Sequence, residues 1–257
     1  MSIGCRIPMQ KRSDLKYNIS EKGVIVLDML AKQSVVVLTP TFNHPAEFQH
    51  YLHSIEKVLK ARPDVQLELI DNASDPPMHS QLRAVANSQI RVHFLTRNVG
   101  KGNALNEWLK THPLDESVQV VVSIDPDITF SPDSFDRLVA AAIDIPKLGY
   151  LSMRYTSNRC NPELGLWRGP RQVLGKSGRS YRLRYPVFAN VAGGIIAIPR
   201  SLLATVLNGE LYPNAEGKTY YGDEVALYLK LKKQGYRSAY LEGTEATHLK
   251  SGPIRLI

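Results

Sequence analysis

Cysteine is scarce in this 257-residue chain: Cys5 and Cys160 are the only two, and they form no CxxC pair. That excludes a disulfide framework and a cysteine-built zinc site, and it suits a reducing compartment. Long apolar runs are also missing. Val35 to Leu38 and Val118 to Ile124 are among the longest, far short of the ~20 residues that cross a bilayer as a helix. No transmembrane helix is expected. Met1 to Cys5 lacks the charged-then-apolar pattern of a secretory leader. The expectation is therefore a cytoplasmic protein, with the inner membrane surface as a further place of work. Charged residues make up 22% and hydrophobic ones 43%, which excludes disordered, collagenous and coiled-coil classes. The length suits one large layered domain.

Positive charge is what the chain has in excess. The net charge is +8 and the pI about 9.4, which favours polyanionic partners such as nucleic acid, nucleoside diphosphates or an anionic membrane face. Between Met153 and Pro186, Arg154, Arg159, Arg168, Arg171, Lys176, Arg179, Arg182 and Arg184 stand against the single acid Glu163. A solvated basic loop accounts for such a run as well as an anion site does. With its Arg, Gly and Pro and its weak periodicity, the segment 154–186 reads as a long functional loop.

Elsewhere short β-branched runs alternate with helical periods. Ser34 to Thr39, Gln66 to Asp71, Ile90 to Leu95 and Val118 to Ile124 read as buried strands of a largely parallel sheet. Helices are expected from Ala46 to Arg62, Met78 to Ala86 and Asn103 to Lys110, with a fourth opened by Ser131-Pro132 and ending before Pro146. Later come a strand at Gly194 to Ile198, a helix from Pro199 to Asn208, a helix from Asp223 to Gln234 closed by Gly235, and a strand at Ser238 to Glu242. This repetition predicts an α/β fold, a doubly wound, mostly parallel sheet with helices on both faces of a single domain. Residues 1–33 read as an N-terminal extension in which Tyr17, Ile19 and Val24 to Leu27 could add a strand or a docking surface.

Polar motifs fall where these strands end, the edge at which open α/β sheets bind ligands. Thr39-Pro40-Thr41-Phe42-Asn43 follows the first strand and Asp71-Asn72-Ala73-Ser74-Asp75 the second. A carboxylate such as Asp71 can accept from a nucleobase or ribose, and it can equally cap a turn. Asn98-Val99-Gly100-Lys101-Gly102-Asn103 offers backbone NH groups at a helix start, suited to a phosphate or a sugar hydroxyl, but matches neither the dinucleotide fingerprint nor the phosphate-binding loop of nucleotide triphosphatases. Asp125-Pro126-Asp127 puts two hard oxygen donors after the most apolar strand, suited to Mg2+ or Mn2+, although an N-terminal turn uses the same residues.

Taken in order, these motifs resemble glycosyltransferase family 2, nucleotide-sugar-dependent enzymes of the GT-A fold. The likeness runs from Ser34 to Gly252 and takes in Ala104 and Asn106, Ala192-Gly193-Gly194 before an apolar strand, Pro199-Arg200, Asp223-Glu224 opening a helix that ends in Gly235-Tyr236, and His248. It implies a catalytic domain over 34–252, with a nucleotide-sugar half (34–130), an acceptor half (149–252) and a tail (253–257). By this resemblance Thr39, Pro40, Thr41 and Asn43 would approach the nucleotide and Asp71 would face its base. Asn98, Gly100, Lys101 and Asn103 would line the ribose and diphosphate, with Gly193 and Gly194 bordering the pocket on the acceptor side. Asp127 would be the foremost metal ligand, Asp125 would lie near sugar or ribose within the same metal motif, and His248 would be a further ligand.

The resemblance further implies inverting transfer from a UDP-linked sugar, with Mn2+ or Mg2+, to an acceptor hydroxyl. The acidic pair departs from the family pattern: Asp223-Glu224 is reversed in order and Ala226 replaces a later acid. Glu224 stands at the expected base position with Asp223 as substitute, and both could simply be acids favoured by a helix N-terminus. The arginines of 154–186 point to an anionic acceptor: a lipid-linked phosphate, a phosphorylated glycan or nucleic acid. Two other functions fit such a chain, nucleotidyl transfer and non-catalytic nucleic-acid binding on the same fold.

Overall fold

The computed structural model describes residues 17–19, 25–27, 34–156, 169–186, 191–213 and 223–249. The chain divides into two units, Met1–Lys32 and Gln33–Ile257. In the first, β1 (Tyr17–Ile19) and β2 (Ile25–Leu27) pair antiparallel as a two-stranded sheet of their own.

The second unit begins with β3 (Val35–Thr41), α1 (Pro45–Ala61), β4 (Val65–Asp71), α2 (Pro76–Val85), β5 (Ile90–Phe94), α3 (Lys101–Thr111) and β6 (Val120–Ile124). It continues with β7 (Ile128–Phe130), α4 (Pro132–Asp144), β8 (Leu148–Tyr155), β9 (Arg171–Leu174) and β10 (Ser180–Arg184). β11 (Ile195–Pro199), α5 (Arg200–Thr205), α6 (Asp223–Lys233) and β12 (Arg237–His248) complete it. Its ten-stranded sheet runs β5-β4-β3-β6-β11-β8-β12-β10-β9, with β7 on β12. β3, β4, β5, β6, β8, β9 and β12 point one way and β7, β10 and β11 the other. Every residue of β3, β4 and β6 is buried. Strands covered on both faces read as apolar runs in β3 and β6, whereas β4 also buries Gln66 and Glu68.

Proline punctuates the helices where φ near −65° suits a first turn. Pro45, Pro76 and Pro132 open α1, α2 and α4, and at α4 the Ser131 hydroxyl also accepts from the Ser134 amide at 3.1 Å. α1 turns Phe48, Tyr51, Leu52, Ile55 and Leu59 inward onto the core. After it, Arg62 bonds both Asp64 (Nη2–Oδ2 2.7 Å) and Asp136 of α4 (2.7 Å), tying the lower edge of the domain together.

Three expectations change. β12 does not stop at Glu242: Gly243, with φ 77°, makes a bulge that shifts the register between Leu241 and Glu245, and the strand then runs on to His248 beside β7. β8 has no counterpart in the sequence reading, because it is buried on both faces yet mixes Gly149, Tyr150, Ser152 and Arg154. The segment 154–186 is not one long loop. It holds the β9–β10 hairpin, whose turn is pinned by Asp144, and Arg159, Glu163 and Arg168 lie outside the described residues.

Candidate active site

The parallel pairing sets the first part of the site. Thr41 lies opposite Asp71, and Asp71 opposite Phe94, so the ends of β3, β4 and β5 are level. The Asp71 carboxylate is fully buried and accepts from Thr41 Oγ1 (3.2 Å), the Ser74 amide (3.1 Å) and His79 Nε2 (2.8 Å). Thr39, also fully buried, spends its hydroxyl on Tyr51 at 2.6 Å. The side chains of Thr39, Thr41 and Asp71 therefore shape this edge from within, with Pro40 between the two threonines in β3. Asn43, at φ 55°, accepts from the Asp75 amide (2.8 Å) while its own amide donates to Ser74 Oγ (2.9 Å), which clips the two strand-end loops together.

The loop before α3 is fixed by amides. Asn72 donates to Asn98 Oδ1 (2.8 Å) and accepts from the Val99 amide (2.8 Å), Gly100 NH donates to Asn98 Oδ1 (2.9 Å), and Asn103 holds the Val99 carbonyl (2.9 Å). Gly100 sits at φ 84°, where a side chain would be strained. This network aims Lys101 from the first turn of α3 across the sheet end.

Lys101 is the centre of the site. Its Nζ lies 2.6 Å from Asp125 Oδ1, 3.3 Å from Glu224 Oε1, 3.2 Å from the Gly193 carbonyl and 5.5 Å from the ring centre of Tyr212. Asp125 is itself anchored, since its amide donates to the Gly194 carbonyl at 2.7 Å where β6 meets β11. A Cβ on Gly193 would fall on Cγ, Cδ and Oε1 of Glu224. Glycine here is thus a matter of room for the glutamate. Burial pushes Asp125 up to about 6, with Lys101 pulling against it and Asp127 and Glu224 adding to it. Burial would raise Glu224 too, but the Lys101 cation and hydrogen bonds outweigh it and hold the carboxyl below its ordinary value. For Lys101, burial works against the cation, yet Asp125, Tyr212 and Glu224 hold it well above its ordinary value. A carboxylate, an ammonium and a second carboxylate thus share one half-buried spot, all charged at neutral pH.

Beside it, the pairing of His248 with Ile128 brings the end of β12 against the Asp125-Pro126-Asp127 turn, and the Leu249 amide donates to the Asp127 carbonyl at 2.8 Å. His248 Nε2 is 3.4 Å from Asp127 Oδ2. Asp125 does not join them as the expected metal motif has it, because Lys101 takes its Oδ1. Among the described residues no three His, Cys, Asp or Glu side chains gather closely enough to hold a metal ion. A hard oxygen and an imidazole are nevertheless a donor pair that Mn2+ accepts. These two donors, Asp127 and His248, are of the types that a divalent cation takes.

A sequence profile described as glycosyl transferase family 2 matches residues 36–207. The chain belongs to glycosyl transferase family 2. No curated protein matches it in sequence. Among solved structures it is similar to mannosyltransferase PcManGT from Pyrobaculum calidifontis in complex with GDP-Man and Mn2+, at TM-score 0.63 and 20% identity, over 87% of this chain and 58% of that one. It is also similar to GalNAc-T7 with UDP, GalNAc and Mn2+ (TM-score 0.62, 16% identity, 87% and 46% of the chains) and to S. aureus TarS 1-349 in complex with UDP-GlcNAc (0.58, 16%, 86% and 62%). It therefore spans from under half to about three fifths of these neighbours' lengths. The likeness fixes the fold of this family 2 domain as GT-A.

Of the residues singled out from the sequence, Lys101, Asp125, Gly193, Gly194 and Glu224 meet at one point, and Asp127 and His248 form a second pair close by. The Asp223 side chain lies outside what is described. Tyr212 and His79 went unread. Tyr212 is held under Lys101 by Asn106, which both donates to its carbonyl (2.8 Å) and accepts from its amide (3.0 Å); the motif asparagine was the one signal for this contact.

Proposed function

We propose that this family 2 domain transfers a sugar, with inversion, from a UDP-linked donor to an acceptor hydroxyl, with Glu224 as the general base and Asp223 as the alternative. The observation that carries this reading is the Lys101 bridge between Asp125, on the donor side, and Glu224, on the acceptor side. Held ionised beside a cation, Glu224 can accept the acceptor's proton as the new O–C1 bond forms and the C1–O bond to the nucleoside diphosphate breaks. A single displacement needs one protein base and no covalent intermediate. Lys101 keeps the glutamate in place and, being within reach of Asp125, lowers the cost of gathering negative charge there.

A divalent cation, Mn2+ or Mg2+, held by Asp127 and His248 would offset the charge growing on the departing diphosphate. Asp71, through Thr41, Ser74 and His79, sets the shape of the nucleotide edge, and the amide-locked loop of Asn98 to Asn103 presents backbone NH groups toward ribose and phosphate. The neighbours whose complexes contain UDP, UDP-GlcNAc or GDP-Man support a nucleotide-sugar donor. The acceptor is proposed to be anionic, on the strength of exposed Arg171, Arg179 and Arg182; Arg184 is spent on Glu242 at 2.5 Å.

The test is turnover of UDP-, GDP- and dTDP-sugars with Mn2+. Release of nucleoside diphosphate that Glu224→Gln lowers by on the order of 10²–10⁴-fold, with donor binding kept, supports the reading. Release of pyrophosphate would mean nucleotidyl transfer. Nucleic-acid binding with no turnover of any donor would replace catalysis by a binding role.

A further inference from the structure

The chain has twelve tyrosines, and three of the buried ones gather behind the site. Tyr150 and Tyr155 stand on β8 and Tyr240 on β12, the two strands being parallel neighbours. None of the three is more than 4% exposed. A tyrosine ring suits such a core, but its hydroxyl must then find a partner inside the protein. All three find it on one short piece of main chain, the approach to β11. The Tyr150 hydroxyl donates to the Val191 carbonyl (2.9 Å), the Ala192 amide donates to the Tyr240 hydroxyl (2.8 Å), and the Ile195 amide donates to the Tyr155 hydroxyl (2.9 Å).

Between these fixed points lie Gly193 and Gly194, whose carbonyls serve the site. The Gly193 carbonyl accepts from Lys101 Nζ (3.2 Å) and the Gly194 carbonyl from the Asp125 amide (2.7 Å). A Cβ on Gly194 would stand 2.7 Å from the Tyr155 hydroxyl, so glycine there is what lets the hydroxyl approach. The Tyr155 ring also meets the His248 ring edge-on, with centres 6.4 Å apart, within the range of an aromatic pair.

We propose that Tyr150, Tyr155 and Tyr240 are positioning residues: by fixing the main chain from 191 to 195 they set the two glycine carbonyls, and through them the reach of Lys101 to Glu224 and the seat of Asp125. The functional part of this inference rests on Glu224 as the base. The three hydroxyls touch no reacting group. With one of them gone the segment slackens, Lys101 loses its hold on the Gly193 carbonyl, and the glutamate it steadies at 3.3 Å is placed less well. Misplacement by about 1 Å can cost on the order of a hundredfold in rate. Hydroxyls that merely filled the core would lower stability and leave the rate of a folded variant alone.

The experiment replaces one hydroxyl at a time and reads stability and turnover separately. Tyr150→Phe, Tyr155→Phe and Tyr240→Phe keep the ring, and Tyr181→Phe, whose hydroxyl donates to Asp144 instead (2.9 Å), is the control. Circular dichroism checks folding. Urea melts then compare Tyr240→Phe, Lys101→Met and the double variant. Members of one hydrogen-bond network do not act independently. The two single losses in the folding equilibrium constant, multiplied, should therefore exceed the double variant's loss by about threefold or more. Tyr181→Phe with Lys101→Met should multiply to within about twofold. Nucleoside diphosphate release from UDP-, GDP- and dTDP-sugars with Mn2+ gives the second readout: kcat should fall about tenfold in Tyr155→Phe and Tyr240→Phe, with donor KM within about threefold. Losses that multiply for Tyr240 with Lys101 would overturn the assignment. Unchanged kcat in the folded Tyr155 and Tyr240 variants would overturn it too, as would an equal fall in Tyr181→Phe. Absence of turnover with every donor would instead refute the glycosyl-transfer reading, and the melts, which need no substrate, would still decide the coupling of these hydroxyls to Lys101.

Discussion

Replacing Gly193 by Ala tests the centre of the site without touching any group that reacts. The added methyl would occupy the space of Glu224 Cγ, Cδ and Oε1, so the glutamate must rotate away. The clash begins at Cγ of a flexible side chain rather than at backbone, and Gly193 does not adopt a positive φ, so the backbone accepts alanine once Glu224 changes rotamer. The stability cost is that of a displaced rotamer, about 0.5–1.5 kcal/mol, plus loss of the 3.3 Å contact to Lys101. The functional cost should be far larger: a base moved out of reach forfeits the same 10²–10⁴-fold, roughly, as Glu224→Gln. Steady-state release of nucleoside diphosphate measures kcat, and calorimetry with UDP and Mn2+ measures donor binding, which should stay within a few-fold. The double variant with Glu224→Gln is decisive, because two substitutions that remove one interaction do not add. A double variant as slow as either single one is expected. Multiplied losses, or a Gly193→Ala enzyme turning over at the ordinary rate, would refute the placement of the base.

Three further outcomes follow from other contacts. Lys101→Met removes the cation that bridges Asp125 and Glu224 and should lower kcat and the melting temperature together, by about 2–4 kcal/mol for a broken, partly buried pair, whereas Lys101→Arg should recover part of the stability. Asp127→Asn and His248→Ala should each weaken Mn2+ binding about tenfold or more in calorimetric titration, with folding by circular dichroism unchanged. Arg62 holds Asp64 down at about 2; a depressed acid contributes stability above its unfolded value of about 3.9, and loses it as pH falls through 2. Urea melts should therefore show Asp64→Asn less stable than the parent by at most about 2 kcal/mol near pH 6, with the gap closing toward pH 2; a gap independent of pH would contradict the pairing.

Much of the first half of the fold was legible in the chain because its signals are local. β3 and β6 are buried on both faces and so appear as largely apolar runs, proline marks three helix starts, and the polar motifs stand where the strands stop. Beyond Gly149 the signals fail for identifiable reasons. β8 carries no period because both faces are buried, the Arg-rich hairpin looks like a loop, and Gly243 imitates a strand end while making a bulge. That bulge decides where His248 lies, since without it β12 would not continue in register with β7.

The residue types of the site, their order and the family they resemble were set by the sequence alone. Their partnerships were decided by the tertiary structure: Lys101 meets Glu224 across 123 positions and the Gly193 carbonyl across 92, and Asp125 turns to that lysine rather than to Asp127 and His248. Local periodicity reports which face of a segment is buried. It carries no information about which distant strand ends come to lie side by side, and that proximity is what makes a lysine the link between Asp125 and Glu224.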